Sequence, residues 1–203
     1  MKAAFDFIYL ASQSPRRAQL LGQIGVRFEL LLAGAGEDAE ALEAHMPGEL
    51  PAAYVERVTR AKLQAARKRW RASGRTTAPI LCADTTVALG RRILGKPTDA
   101  ADARATLRLL SGRTHRVITA VAVSEGARTL FAVNTSRVHF AAMPTREIDR
   151  YVASGVPFGK AGAYAIQSSV ASWIARIEGS HSGIMGLPLY ETTRLLRQAG
   201  VLF

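Results

Sequence analysis

Apolar positions along this chain alternate between two spacings, and the changes of spacing mark out strands and helices in turn. Residues 5–10 are a short apolar run. After Ser12-Gln13-Ser14-Pro15 a helical pattern follows, with Leu20, Leu21 and Ile24 on one face and a stop near Gly25. Residues 27–32 read as a second strand, and 33–50, rich in Gly, Ala and Glu with Pro47-Gly48, read as a loop. The longest predicted helix runs over 51–73, with Tyr54, Val58, Ala61 and Ala65 as its apolar stripe, Lys62 beside that stripe, and Gly74 as its stop. Residues 77–83 predict a buried strand ending in Asp84-Thr85-Thr86, followed by a hairpin that turns at Gly90-Arg91 and returns to Gly95-Lys96-Pro97.

The second half continues in the same way. Thr98 is the predicted cap of a helix over 99–110, and 117–124 and 129–140 are two long strands joined across Glu125-Gly126. Thr145 is the predicted cap of a short helix to Ser154. Residues 169–177 read as a strand, 178–186 as a Gly/Ser-rich loop, and Gly186-Leu187-Pro188 as the start of a last helix ending at Gly200. No repeat, linker or low-complexity segment breaks the pattern. One α/β domain over 1–203 is expected, with the central hairpins as a smaller lobe beside a cleft.

Composition narrows the partners. Hydrophobic residues make up 48% of the 203 and charged residues 21%, the profile of a globular domain with a proper core. No apolar run is long enough to span a bilayer and no signal-peptide pattern is present, so no membrane partner and a cytoplasmic setting are expected. Cys82 is the sole cysteine, which excludes an internal disulfide and a cysteine-based metal site; Ile80, Leu81 and Ala83 around it suggest a small buried hydrophobe. The net charge of +11 calls for anionic partners. Basic residues are scattered apart from Arg67-Lys68-Arg69, aromatics are sparse at 7%, and no nucleic-acid-binding motif appears. Phosphorylated small molecules are therefore favoured over a stable nucleic-acid partner. Of the 27 basic residues only five are lysine, at 2, 62, 68, 96 and 160, and the other 22 are arginine. Lysines kept in so arginine-rich a chain mark positions that call for a compact point charge.

Candidate chemistry gathers at the turns. In Leu10-Ala11-Ser12-Gln13-Ser14-Pro15-Arg16-Arg17, Ser14 is the expected N-cap and Pro15 the first helical residue, with two arginines in the first turn. A helix N-terminus with hydroxyls and guanidinium groups suits phosphate, and a capped surface helix with solvated arginines fits this stretch equally well. Asp84, at the predicted end of a core strand, stands where open α/β sheets place ligands. Ser12, Ser14, Arg16, Arg17, Glu37, Lys62, Asp84, Lys96, Lys160 and Gln167 together form the kit a nucleoside triphosphate needs. Cations neutralise phosphate oxygens, carboxylates hold a hard divalent cation or accept a proton from water, and an amide reads a base edge.

Five blocks in order carry a resemblance over nearly the whole chain. They are 10–17; Tyr54 through Lys62; Ala-Asp-Thr at 83–85 with Gly-Lys-Pro at 95–97; Leu-Ser-Gly-Arg-Thr-His at 110–115; and Lys-Ala-Gly-Ala-Tyr-Ala-Ile-Gln at 160–167, followed by Ile-Glu-Gly-Ser at 177–180 and Gly-Leu-Pro-Leu at 186–189. The sequence resembles the Maf family of nucleoside triphosphate pyrophosphatases, in the branch acting on dTTP and UTP. The resemblance implies a mixed, twisted β-sheet flanked by helices, of the Maf or inosine-triphosphatase-like kind. It also implies hydrolysis between the α- and β-phosphates to a nucleoside monophosphate and pyrophosphate, with Mg²⁺ or Mn²⁺ as cofactor.

On that template Asp84 matches the catalytic proton acceptor, and Arg16, Thr85 and Gln167 match positions tied to substrate choice. Ser12, Arg17, Lys62, Lys96 and Lys160 match phosphate-handling positions, and Glu37, with Asp84, the metal site. The family further implies a homodimer, house-cleaning of the nucleotide pool and a link to division arrest. Four departures stand out. Gly36 replaces an acid before Glu37, leaving one carboxylate fewer unless Asp38 substitutes; Ser168 stands where Gly is usual; Gly159 stands where an acid is common; and His181-Ser182-Gly183 varies a loop usually richer in Tyr and Asn. The missing acid and the charge of +11 leave a second expectation open, a nucleotide- or nucleic-acid-binding regulator without turnover.

Overall fold

The computed structural model describes residues 4–34, 37 and 41–203; Gly36 and Asp38, on which the metal-loop departure turns, lie outside the described residues. Strands β1 (Ile8–Leu10) and β2 (Phe28–Leu30) are short, whereas β3 (Ile80–Leu89), β5 (Thr114–Glu125) and β6 (Arg128–Phe140) are long; β4 (Arg92–Leu94) and β7 (Ile174–Glu178) complete the set among the described residues. They form one mixed sheet in the order β2-β1-β3-β5-β6-β7, with β4 paired to β3. β1 runs parallel to β2 and β3, and every other pairing is antiparallel. Helices α1 (Pro15–Gln23), α2 (Pro51–Ala72), α3 (Ala100–Leu110), α4 (Thr145–Ala153), α5 (His181–Met185) and α6 (Leu189–Gln198) flank it. No described helix is long and apolar enough to cross a membrane.

The period of two in the strands divides the core between the two faces. Ile8, Leu10, Leu81, Ala83, Val87, Val117, Val121 and Val123 pack with residues of α1, α3, α4 and α6. Their alternates Tyr9, Ile80, Cys82 and Ala122 pack with Leu63 and Ala66 of α2, while Ile118 and Ala120 pack with its Tyr54, Val55 and Val58. α2 thus covers one face alone, and both faces of β3 are buried, as the apolar residues on either side of its Asp84-Thr85-Thr86 require. Cys82 is buried in this core, where desolvation pushes its thiol up to about 12 and leaves it an inert hydrophobe.

Several local expectations are corrected by tertiary contacts. β3 does not stop before Asp84; pairing with β5 from Ile80↔Ser124 to Ala88↔Arg116 carries it through to Leu89, so Asp84 lies in mid-strand. Asp99, not Thr98, caps α3: its carboxylate accepts the backbone N–H of Asp102 at 2.8 Å, while the Asp102 carboxylate accepts the N–H of Thr98 at 3.1 Å. The N-cap of α4 is Pro144, with Thr145 already helical. The strand expected over 169–177 is confined to Ile174–Glu178, which pairs with β6, and Ser169–Trp173 is a 3₁₀ turn. The expected loop over 178–186 contains α5, capped by the Ser180 side chain on Gly183 N at 3.0 Å, and the last helix begins at Leu189.

Candidate active site

The site opens where one edge of β3 lacks a strand. β1 follows β3 only to Leu10↔Leu81, and β4 joins the same edge only from Val87↔Leu94. Asp84 sits in the middle of the gap, held from the opposite edge by β5. A cleft of about 920 Å³ fills the gap, lined by Ser12, Arg16, Arg17, Glu37, Lys62, Asp84, Thr85, Lys96 and Lys160, all expected from sequence to act here. Because adjacent strand residues point to opposite faces, Asp84 projects to the α2 side with Ile80 and Cys82, and Thr85 to the other.

On the α2 side four charges interlock. Lys62 lies four residues from Val58 and from Ala66, both fully buried, so it belongs to the inward stripe rather than beside it. Its Nζ is 2.6 Å from Asp84 Oδ1 and 2.7 Å from Glu43 Oε1. The other oxygen of Glu43, Oε2, is 2.7 Å from Lys96 Nζ. Burial pushes the Glu43 carboxyl up, and the Lys62 and Lys96 ammonium groups outweigh that effect and hold it below its ordinary value. Glu43 was missed in the sequence because it sits in a Glu-rich stretch with nothing local to mark it. The marks are on α2, where Tyr54 Oη donates to Glu43 O at 3.0 Å and Arg57 donates to Ala44 O at 2.8 Å.

On the other side Arg17 works as a brace. Its Nε donates to Gly186 O at 2.8 Å, one terminal nitrogen to Ser12 Oγ at 3.1 Å and the other to Thr85 Oγ1 at 3.4 Å. Thr85 Oγ1 lies 2.9 Å from Thr119 Oγ1, which donates to Gly183 O at 2.8 Å. Burial lowers the Arg17 pKa and the nearby Asp84 charge acts against it; with guanidinium's intrinsic basicity it stays charged. Three of its five N–H groups are used in these bonds, which leaves two for an anion. Ser14 is the N-cap of α1 by backbone geometry, but its hydroxyl makes no capping bond; Ser12 Oγ instead accepts Ser14 N–H at 3.2 Å, folding the turn. Arg16 reaches Met185 O at 3.3 Å.

The remaining expected residues are spread around the rim. Lys160 donates to Phe158 O at 3.2 Å and has no ion-pair partner among the described residues; burial, then the charge of Arg16, lower its pKa. Its segment lies against the sheet because Gly162, at φ +70°, donates to Gly95 O at 3.0 Å and an added Cβ there would come within 2.8 Å of Val87. Glu37 lines the cleft, and both of its oxygens are taken by Arg69 at 2.6 and 2.8 Å, which holds its carboxyl below the ordinary value. Gln167 is exposed and lies off the cleft wall, although its neighbour Ile166 lines it. Ser168 is also off the wall, with its hydroxyl bonded to Tyr151 Oη at 2.9 Å and Ala165 O at 2.6 Å. His115 is buried beneath the site with Nε2 2.8 Å from Tyr164 Oη.

Two comparisons bear on this cleft. Residues 7–199 match the family described as Maf-like protein. A protein of Polaromonas sp. strain JS666 is 62% identical over 198 residues, 98% of each chain; one of Albidiferax ferrireducens is 60% identical over 195, 96% of this chain and 98% of its own. A third, of Cupriavidus pinatubonensis, is 59% identical over 198 residues, 98% of this chain and 99% of its own. All three relatives are named dTTP/UTP pyrophosphatase. A match that runs from the first strand of the sheet to the end of the last helix establishes that this chain belongs to the Maf family.

Proposed function

We infer that this chain is a nucleoside triphosphate pyrophosphatase acting on dTTP and UTP, cleaving between the α- and β-phosphates to release the monophosphate and pyrophosphate. The observation that carries the reading is the near full-length likeness to proteins so named, at 62% and 60% identity. The cleft supplies suitable chemistry. Water attacks the α-phosphorus and gives its proton to a carboxylate oxygen of Asp84 as the P–O bond to the β-phosphate breaks; pyrophosphate leaves with the bonding electrons. Ser12, Lys62, Lys96, Lys160 and the two spare N–H groups of Arg17 line the cleft and would take phosphate oxygens, with Arg16 beside them as a substrate-choice residue. Thr85, braced between Arg17 and Thr119 on the far wall of the cleft, would contribute to substrate choice there.

A divalent cation fits the donor set. Asp84 and Glu43 both contact the Lys62 ammonium, so their oxygens converge on one point, and among the described residues no group of three or more His, Cys, Asp or Glu forms a protein cage. Mg²⁺ suits such a place, since it takes one or two carboxylates and completes its shell with substrate phosphates and water. Asp84 and Glu43 would hold it, with Glu37 at the rim, and its charge would offset that gathering on the phosphates. A cytoplasmic setting, expected from the lack of a signal-peptide pattern, and a homodimer, expected from the family resemblance, complete the proposal.

The test is pyrophosphate release from a panel of dTTP, UTP, CTP, purine triphosphates and 7-methyl-GTP, with Mg²⁺ or Mn²⁺. Release from dTTP and UTP is expected, and release from the methylated purine alone would refute the branch. Asp84→Asn should abolish turnover, a fall of at least about 10³-fold, while nucleotide still binds. An active variant would remove the proton-acceptor role.

A further inference from the structure

On the far wall of the cleft three oxygens form a chain: Thr85 Oγ1, Thr119 Oγ1 at 2.9 Å from it, and Gly183 O at 2.8 Å from Thr119. Each hydroxyl carries one proton and the carbonyl none. Thr119 is fully buried, and at these distances each gap needs a proton, since two facing lone pairs would repel there. The carbonyl can only accept, so the Thr119 proton goes to Gly183 O and the Thr85 proton must go to Thr119. Of the two lone pairs on Thr85 Oγ1, one takes an Arg17 N–H at 3.4 Å and the other is left for the cleft. Thr85 therefore meets a ligand as an acceptor only. A phosphate oxygen is an acceptor too, so the partner of Thr85 must bring an N–H or O–H. Gly186 keeps the space beside it open, since an added Cβ there would lie 3.6 Å from Thr85 Oγ1. On the same face of the sheet the next pair after Thr85↔Thr119 is Val87↔Val117, and both valines line the cleft with Tyr164, Ile166 and Ile184. An apolar slot with one directed polar group suits a flat base.

We propose that Thr119 is a positioning residue that fixes Thr85 as an acceptor for the N3–H of uracil and thymine, and so sets the site against cytosine. The proposal rests on reading the chain as a pyrophosphatase of dTTP and UTP. Uracil and thymine share an N–H at ring position 3, where cytosine has a bare acceptor nitrogen. A cytosine seated in the same way would set its N3 lone pair against that of Thr85, with no proton between them. Thr85 cannot turn its own proton toward that nitrogen, because the buried Thr119 oxygen would then face it at 2.9 Å with no proton in the gap. Thr119 itself lies off the cleft wall, so it acts through Thr85 and touches no substrate. The base is thus read at two removes from the backbone: Gly183 O orients Thr119, and Thr119 orients Thr85.

Pyrophosphate release from UTP, dTTP and CTP by wild type, Thr119→Val and Thr119→Ser tests this through the ratios of kcat/KM. Thr119→Val keeps the side-chain shape, and Gly183 O keeps the Gly186 N–H as a donor at 3.0 Å. Valine cannot accept, so Thr85 is released to turn its proton into the cleft. Wild type should prefer UTP to CTP by at least about tenfold, and Thr119→Val should lower that ratio by about tenfold or more, with loss on UTP and gain on CTP. The ratio of dTTP to UTP should not move, because both bases carry the N3–H. Thr119→Ser, which keeps the hydroxyl, should retain the wild-type preference. An equal fall on all three nucleotides in Thr119→Val, or a wild type without preference for UTP over CTP, would overturn the proposal while leaving the pyrophosphatase reading standing. If Thr119→Val does not fold, wild type decides with UTP methylated at N3: a loss of about tenfold or more is expected, and turnover equal to that of UTP would refute the N3–H contact. No release from UTP or dTTP by wild type would refute the pyrophosphatase reading, and the proposal with it.

Discussion

Lys62 shows how a residue takes its role from register. Placed four residues from Val58 and Ala66, it is aimed at the sheet, and the gap in the sheet edge gives its ammonium two carboxylates instead of an apolar wall. Asp84, Lys62, Lys96 and Lys160 were all legible in the sequence, because a carboxylate after a core strand and lysines in an arginine-rich chain are unusual in themselves. Glu43 was not, since what singles it out is a tyrosine and an arginine on a helix distant from its own turn. Gln167 stands at the opposite pole: its role comes from family likeness, and it lies off the cleft wall. If it reads the base, Gln167→Ala should change the ratio of kcat/KM for dTTP and UTP to that for CTP by about tenfold or more, the value of one lost base contact. It should lower the rate on the best substrate by less. Steady-state kinetics on the three nucleotides checks this, and an unchanged ratio would remove Gln167 from the specificity set.

Among the elements, the strands obeyed their period of two, and that alternation sends Asp84 and Thr85 to opposite walls of one cleft. Strand ends were less legible. A Thr-rich stretch reads locally as a turn, yet β3 runs on to Leu89 because β5 supplies a partner for each residue as far as Ala88 and β4 one for Leu89. α5 was hidden for a similar reason: Gly and Ser look like loop, but a Ser180 cap and tertiary contacts give them one helical turn. The Lys160 segment depends on Gly162, whose positive φ and close approach to Val87 leave no room for a side chain. Gly162→Ala should destabilise the protein by roughly 2–4 kcal/mol, the sum of a left-handed backbone and a forced shift of Val87. Urea denaturation measures that loss, and a change below about 0.5 kcal/mol would show that the contact relaxes freely.

For the whole molecule, one buried group links stability to pH. His115 is enclosed by Phe140 and Tyr164, and burial, with the charge of His139 adding, lowers its pKa from 6.5 to about 4. The folded form therefore takes up no proton at His115 until the pH nears 4, whereas the unfolded chain takes one up near 6.5. The stability associated with neutral His115 is fully present above pH 6.5 and falls as pH drops toward 4. Between pH 7 and 5 the loss should be about 2 kcal/mol, and His115→Gln should flatten it. Chemical denaturation at several pH values gives the slope, and an unaltered slope in the variant would assign it to other groups.

The sequence by itself determined the alternation of strand and helix, the apolar faces of the sheet, the cations that line the cleft and the family, because each of these is written in local spacing or in contiguous motifs. Only the tertiary structure decided that Asp84 lies where one edge of a continuous strand is left open, that Lys62 points inward, and that Glu43 closes the lysines into an ion-pair chain. Those three facts depend on where β1 stops, where β4 starts and how α2 carries the 41–43 turn, which are distances between residues far apart in the chain. No local pattern of polar and apolar positions encodes them.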